Sequence, residues 1–237
     1  MTLKEQLEKF EGSINVDDLT KKFKDDLAPT ILYGGYYNVY DKYRIYIKTV
    51  EFYFHSENDF GIKDPIVYHR NNNYVKGKVP YFPLMSLHAH TSGLDITFEK
   101  KENEEKGFRA SALIRAYEVY DIERKDFLIY DTQKRKFLPW KEVQNANKEK
   151  VIKKYNEQST YLYYFLNGFC NNSISWVDQD FSNTKQLVQK TRKNVYKFNP
   201  LLNSENQYEF YKDEKIKDER EWSFTREDDV IIEQRLL

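Results

Sequence analysis

A strict alternation runs through Thr49-Val50-Glu51-Phe52-Tyr53-Phe54-His55. Successive side chains of a strand point to opposite faces, so Val50, Phe52 and Phe54 share one face and Glu51, Tyr53 and His55 the other. Such a segment fits a sheet with an apolar side and a functional or solvent-facing side. Aromatic neighbours desolvate a carboxylate and disfavour its charge, which makes Glu51 a candidate general base. An edge strand with a polar outer face is the structural alternative.

The same period recurs downstream. Leu94, Ile96 and Phe98 alternate with Asp95 and Thr97. Phe108, Ala110, Ala112, Ile114 and Ala116 form an apolar set opposite Arg109, Ser111, Leu113, Arg115 and Tyr117. From Ile31 to His55 the period is two, broken by turns at Gly34-Gly35 and Tyr40-Asp41-Lys42. Before it, residues 2–11 and 16–26 read as amphipathic helices; Asp17 and Asp18 open the second and Pro29 closes it. Residues 56–80 read as a long polar loop packed over a site, and 143–167 as a helix stopped by Asn167-Gly168. The expectation is one α+β domain over residues 1–237, a curved antiparallel aromatic-rich sheet flanked by helices.

Composition narrows the chemistry. Lys plus Arg equals Asp plus Glu at 38 each, so net charge points to no nucleic-acid partner, although a local basic patch remains open. The 20 Tyr and 16 Phe suit strands, clefts and stacking surfaces alike. One cysteine, Cys170, excludes an internal disulfide and fits a reducing cytoplasm. No stretch approaches the roughly 20 apolar residues of a membrane span. The expected protein is therefore cytoplasmic, with no membrane and no disulfide-linked partner.

Nucleophile elbows and phosphate-binding glycine loops are absent from the sequence. All four histidines, His55, His69, His88 and His90, fall in one stretch. His88 and His90 share a strand face and, with Asp95 or Glu51, offer a two-histidine, one-carboxylate site for iron or zinc. Arg115 lies on the polar face of a strand that should pair near Asp95 and Glu51. An arginine there favours an ionised carboxylate, suited to hold a water or simply to form a structural ion pair. Residues 183–197 are basic, with Tyr196 and Phe198 interleaved.

Taken in order, these segments resemble the methylpurine (alkyladenine) DNA glycosylase family. Leu27-Ala28-Pro29-Thr30-Ile31-Leu32-Tyr33-Gly34 looks like its leader, and Tyr43-Arg44-Ile45 with Val50-Glu51-Phe52-Tyr53 like its catalytic strand. Leu113-Ile114-Arg115-Ala116-Tyr117-Glu118 is similar to its L-L-R-A-x-E motif. Leu166-Asn167-Gly168-Phe169-Cys170 and Glu221-Trp222-Ser223-Phe224 are similar to two later segments. The resemblance implies hydrolysis of an N-glycosidic bond of a modified DNA base flipped into an aromatic pocket, in base excision, with no cofactor. It implies Glu51 as the water-activating base and Arg115 as the group that helps place the water. Tyr53, His69, His90 and Ser92 would face the substrate, and Lys185, Lys190, Arg192 and Lys193 the phosphates. Ser92 stands where the family has a wedge tyrosine, and His69-Arg70-Asn71 where it has P-R-N. Two alternatives remain: a metal enzyme built on His88 and His90, and a nucleic-acid-binding module that keeps the fold without the chemistry.

Overall fold

The computed structural model describes residues 1–57, 61, 62, 64, 81–90, 93–101, 107–131, 134–143, 159–169, 173–182, 186–192 and 219–227. The first helix, α1 (Leu3–Lys9), opens on a reciprocal cap in which Thr2 Oγ1 accepts from the Glu5 amide and Glu5 accepts from the Thr2 amide. In α2 (Val16–Lys22) Asn15 caps the amides of Asp17 and Asp18. Pro29 does not end this helix. A π-helical turn at Phe23–Leu27 carries the chain into α3 (Ala28–Tyr33). Pro29 then sits in the first turn of α3, where a missing N–H costs little. Ile31 to Tyr33 are accordingly helical, and extended structure begins only at Gly35. A side chain at Gly35 would strike the Val177 carbonyl and the Trp176 ring.

Among the described residues ten antiparallel strands follow, with one α-helix among them: β1 (Gly35–Val39), β2 (Tyr43–Ser56), β3 (Leu87–His90), β4 (Gly93–Thr97), β5 (Phe108–Asp121), β6 (Asp126–Asp131), β7 (Lys136–Pro139), α4 (Ser159–Leu166), β8 (Ile174–Asp178), β9 (Leu187–Lys190) and β10 (Ser223–Arg226). They form a curled sheet, a half-barrel, in an α+β architecture. The β1–β2 hairpin turns through Tyr40 and Asp41, both at positive φ, closed by the Lys42 amide on the Val39 carbonyl at 3.0 Å. Two 14-residue strands, β2 and β5, are the spine. Each forks along its outer edge: β2 pairs with β1 in one half and β10 in the other, and β5 with β4 and then β6.

The fork coincides with a break in parity. Ile45 and Ile47 face the core, but the next core residues are Val50, Phe52 and Phe54. On β5 the core series runs Val119 and Tyr117, then Ile114, Ala112 and Ala110. The register passes from Ile47↔Tyr117 through Thr49↔Ala116 to Val50↔Ile114, leaving Lys48 and Arg115 each with no residue opposite. One extra residue on each strand flips both side-chain patterns together, so the strands stay in step. Tyr117, rather than Ala116, therefore joins the core cluster. Phe10, just past the end of α1, and helical Phe23 and Leu27 cover this face, with Phe23 stacked on Phe52 at 4.4 Å.

Candidate active site

The reverse face of the same strands is buried and polar. One cross-strand row runs Ser223, Glu51, Leu113, Asp95, His88 through β10, β2, β5, β4 and β3. Glu51, on β2 in this row, is 1% exposed. Its Oε2 accepts from Arg115 Nε at 2.7 Å and from the Tyr53 hydroxyl at 3.1 Å, with Arg115 Nη2 at 2.6 Å. Arg115 is the residue the bulge leaves unmatched on β5, and its side chain is 22% exposed. Two consecutive accommodations thus serve one geometry: the strand parity keeps the core apolar while the odd residue supplies the guanidinium.

Electrostatics keep Tyr53 protonated and Arg115 charged. Burial pushes the Tyr53 hydroxyl well above the usual phenol range and the Glu51 charge adds to it, against Arg192 and Arg115. Tyr53 is therefore a donor to Glu51 at any ordinary pH. Burial works against the Arg115 charge, but the Tyr53 and Glu51 oxygens outweigh it and raise its pKa. Further along the face, Lys48 meets Glu118 at 3.3 Å, both nearly buried. Ser111 Oγ lies 3.3 Å from Asp95 Oδ2.

A second tier sits beyond Tyr53. Arg192 donates to the Phe52 carbonyl at 3.1 Å and pairs with Asp64, and its guanidinium lies 4.7 Å from the Tyr53 ring centre and 5.1 Å from that of Trp222. Its side chain is 0% exposed. This corrects the expectation of Arg192 as a surface phosphate contact: its charge is spent on a buried carboxylate, a carbonyl and two rings. The Asp64 amide lies 3.2 Å from His55 Nδ1, tying the polar face of β2 to the same tier. Tyr53 accordingly presents one ring face to a cation and its hydroxyl to Glu51.

The other expected site residues are distributed differently. Lys190 is exposed on β9. His90 ends β3 opposite Gly93, and its side chain lies outside the described residues, as do His69, Ser92, Lys185 and Lys193 altogether. His88 faces Asp95 across β3 and β4 and packs its ring 4.3 Å from that of Phe82. Among the described residues no group of three or more His, Cys, Asp or Glu is arranged to hold a metal ion. Nor is any helix there long and apolar enough to cross a membrane. Asp64 and the buried role of Arg192 were missed, since neither lies in a periodic segment that marks a face. No family model matches the chain, and neither a curated protein nor a solved structure is found to match it.

Proposed function

We propose that the chain is a DNA glycosylase-like hydrolase with the fold of the methylpurine DNA glycosylases, which cleaves the N-glycosidic bond of a modified base. The observation that carries this reading is the buried Glu51 carboxylate, fixed at one oxygen by Arg115 and Tyr53 on the face of the sheet away from the apolar core. An anchored carboxylate has a defined direction, which general-base chemistry requires. Glu51 takes a proton from a water as the water oxygen bonds to the anomeric carbon. The base leaves with the electron pair of the glycosidic bond. Departure is easiest for a base that already carries positive charge, because it leaves neutral. Glu51, as an anion, also stabilises the positive charge that grows on the sugar. Arg115 orients Glu51 and, being partly exposed, reaches toward the water. A flipped nucleotide would bring its sugar to this row, and Lys190, with Lys185 and Lys193, would meet the phosphates.

The test is to incubate alkylated and otherwise modified DNA with wild type and Glu51→Gln, then measure abasic sites by alkaline strand cleavage. Wild type should release base and Glu51→Gln should not. Equal activity of the two, or no base released from any modified DNA, would contradict the reading.

A further inference from the structure

Where the β6–β7 hairpin meets α4, aromatic side chains line an open cleft of about 730 Å³. This falls in the range of roughly 300–1,000 Å³ typical of ligand clefts. Tyr130 and Phe137 come from the hairpin strands, Tyr161 and Tyr164 from α4, Arg135 from the hairpin turn and Lys136 from the start of β7. Tyr130 and Tyr161 stack at 4.0 Å and 15°, giving the wall a planar π surface. Tyr164 is 62% exposed beside it.

Two observations set this cluster apart from ordinary packing. A phenol ring on a helix normally buries its body, yet Tyr164 holds most of its surface in solvent at the cleft. The lining also carries two exposed cations and no carboxylate. Asp131, which lies across the hairpin from Lys136, accepts from the Lys134 amide at 3.0 Å. Open aromatic faces next to positive charge fit a ligand that is both planar and anionic, which is the chemistry of a nucleotide. A duplex keeps its bases stacked on one another and has no free faces to offer, whereas a single strand does.

We propose that this cleft is a second nucleic-acid site, which takes unpaired nucleotides of a single strand by stacking a base on Tyr164 and its neighbouring rings while Arg135 and Lys136 meet the phosphates. β6 runs antiparallel to β5 from its pairing of Leu128 with Val119, which brings Tyr130 level with Tyr117, four residues from the partner of Glu51 and roughly 14 Å along the strand at 3.4 Å per residue. Phe137 packs against the apolar core, on the side of the sheet away from Glu51. The two sites are therefore separate, and this one stands whether or not Glu51 cleaves anything.

Fluorescence anisotropy of a labelled 12-residue oligothymidine, titrated with the full-length protein at several salt concentrations, tests it. Saturable binding should weaken about tenfold in Tyr164→Ala, as removal of one base–aromatic stack predicts. Arg135→Ala with Lys136→Ala should flatten the salt dependence, by about 0.7 in slope for each phosphate that is no longer neutralised. Glu51→Gln should bind like wild type, which separates this site from the catalytic reading. All three positions are exposed, so thermal melting of the variants should match wild type and exclude misfolding. The proposal is overturned by absence of saturable binding, by variants that bind like wild type, or by equal competition from duplex DNA or a free mononucleotide.

Discussion

The two faces of β2 and β5 are buried alike and held by opposite means. On one, Ile47, Val50, Phe52, Ala112 and Ile114 meet helices through apolar contact. On the other, Glu51 meets Arg115 and Tyr53, and Lys48 meets Glu118, through charge and hydrogen bonds. An apolar face tolerates many sequences of similar volume. A buried charged face tolerates few, because any carboxylate left without its partner is costly. A chain that needed only stability could have filled both sides with hydrocarbon. The polar side is therefore where function is to be sought.

The largest expected effect is on the apolar side. Phe52→Ala removes a fully buried ring stacked on Phe23 and should cost about 3–5 kcal/mol in chemical denaturation. A loss below about 1 kcal/mol would mean this face is not close-packed. On the polar side, Arg115→Met removes the guanidinium that balances the buried Glu51 and should cost about 3 kcal/mol, discounted from the fully buried case because Arg115 is partly exposed. Adding Glu51→Leu should recover most of that loss, because the carboxylate that lost its cation is gone. If the double variant is instead as unstable as the sum of the single ones, the pair is not coupled and the comparison fails.

A smaller effect separates the faces by pH. Tyr53 on the polar side and Tyr117 on the core side both have hydroxyls raised by burial. In the unfolded chain they ionise near pH 10, while the folded protein keeps them protonated. The folded state then binds more protons, so stability is level below about pH 10 and falls as pH rises beyond it. Tyr53→Phe should make this alkaline decline shallower in pH-dependent urea melts. An unchanged slope would show that Tyr53 ionises as an exposed phenol does.

Much of this was legible in residue order, and the misses have physical causes. Alternation marked β2, β4 and β5 and put Arg115 near Glu51, because a period of two reports a face directly. The double bulge escaped, since the three-residue steps from Ile47 to Val50 and from Tyr117 to Ile114 carry meaning only when two distant strands are compared. The helical run begun at α2 passed Pro29 because a π-turn at Phe23–Leu27 led into a new helix with Pro29 in its first turn, an accommodation that residue propensity does not reveal. Arg192 read as basic surface because charge was counted without knowing that Asp64 waits for it. The β6–β7 hairpin and its aromatic cleft were not anticipated. Tyr130, Phe137 and Tyr161 converge only in the fold.

The most direct test of the central claim sets chemistry against stability in one variant. Glu51→Gln is isosteric and retains an oxygen to accept from Arg115 and Tyr53, so it should melt close to wild type, with a loss of about 1–2 kcal/mol. Single-turnover base release from modified DNA should nevertheless fall by at least about 100-fold, the usual scale of general-base catalysis. A Glu51→Gln protein that melts like wild type and still releases base at the wild-type rate would make the polar face structural only.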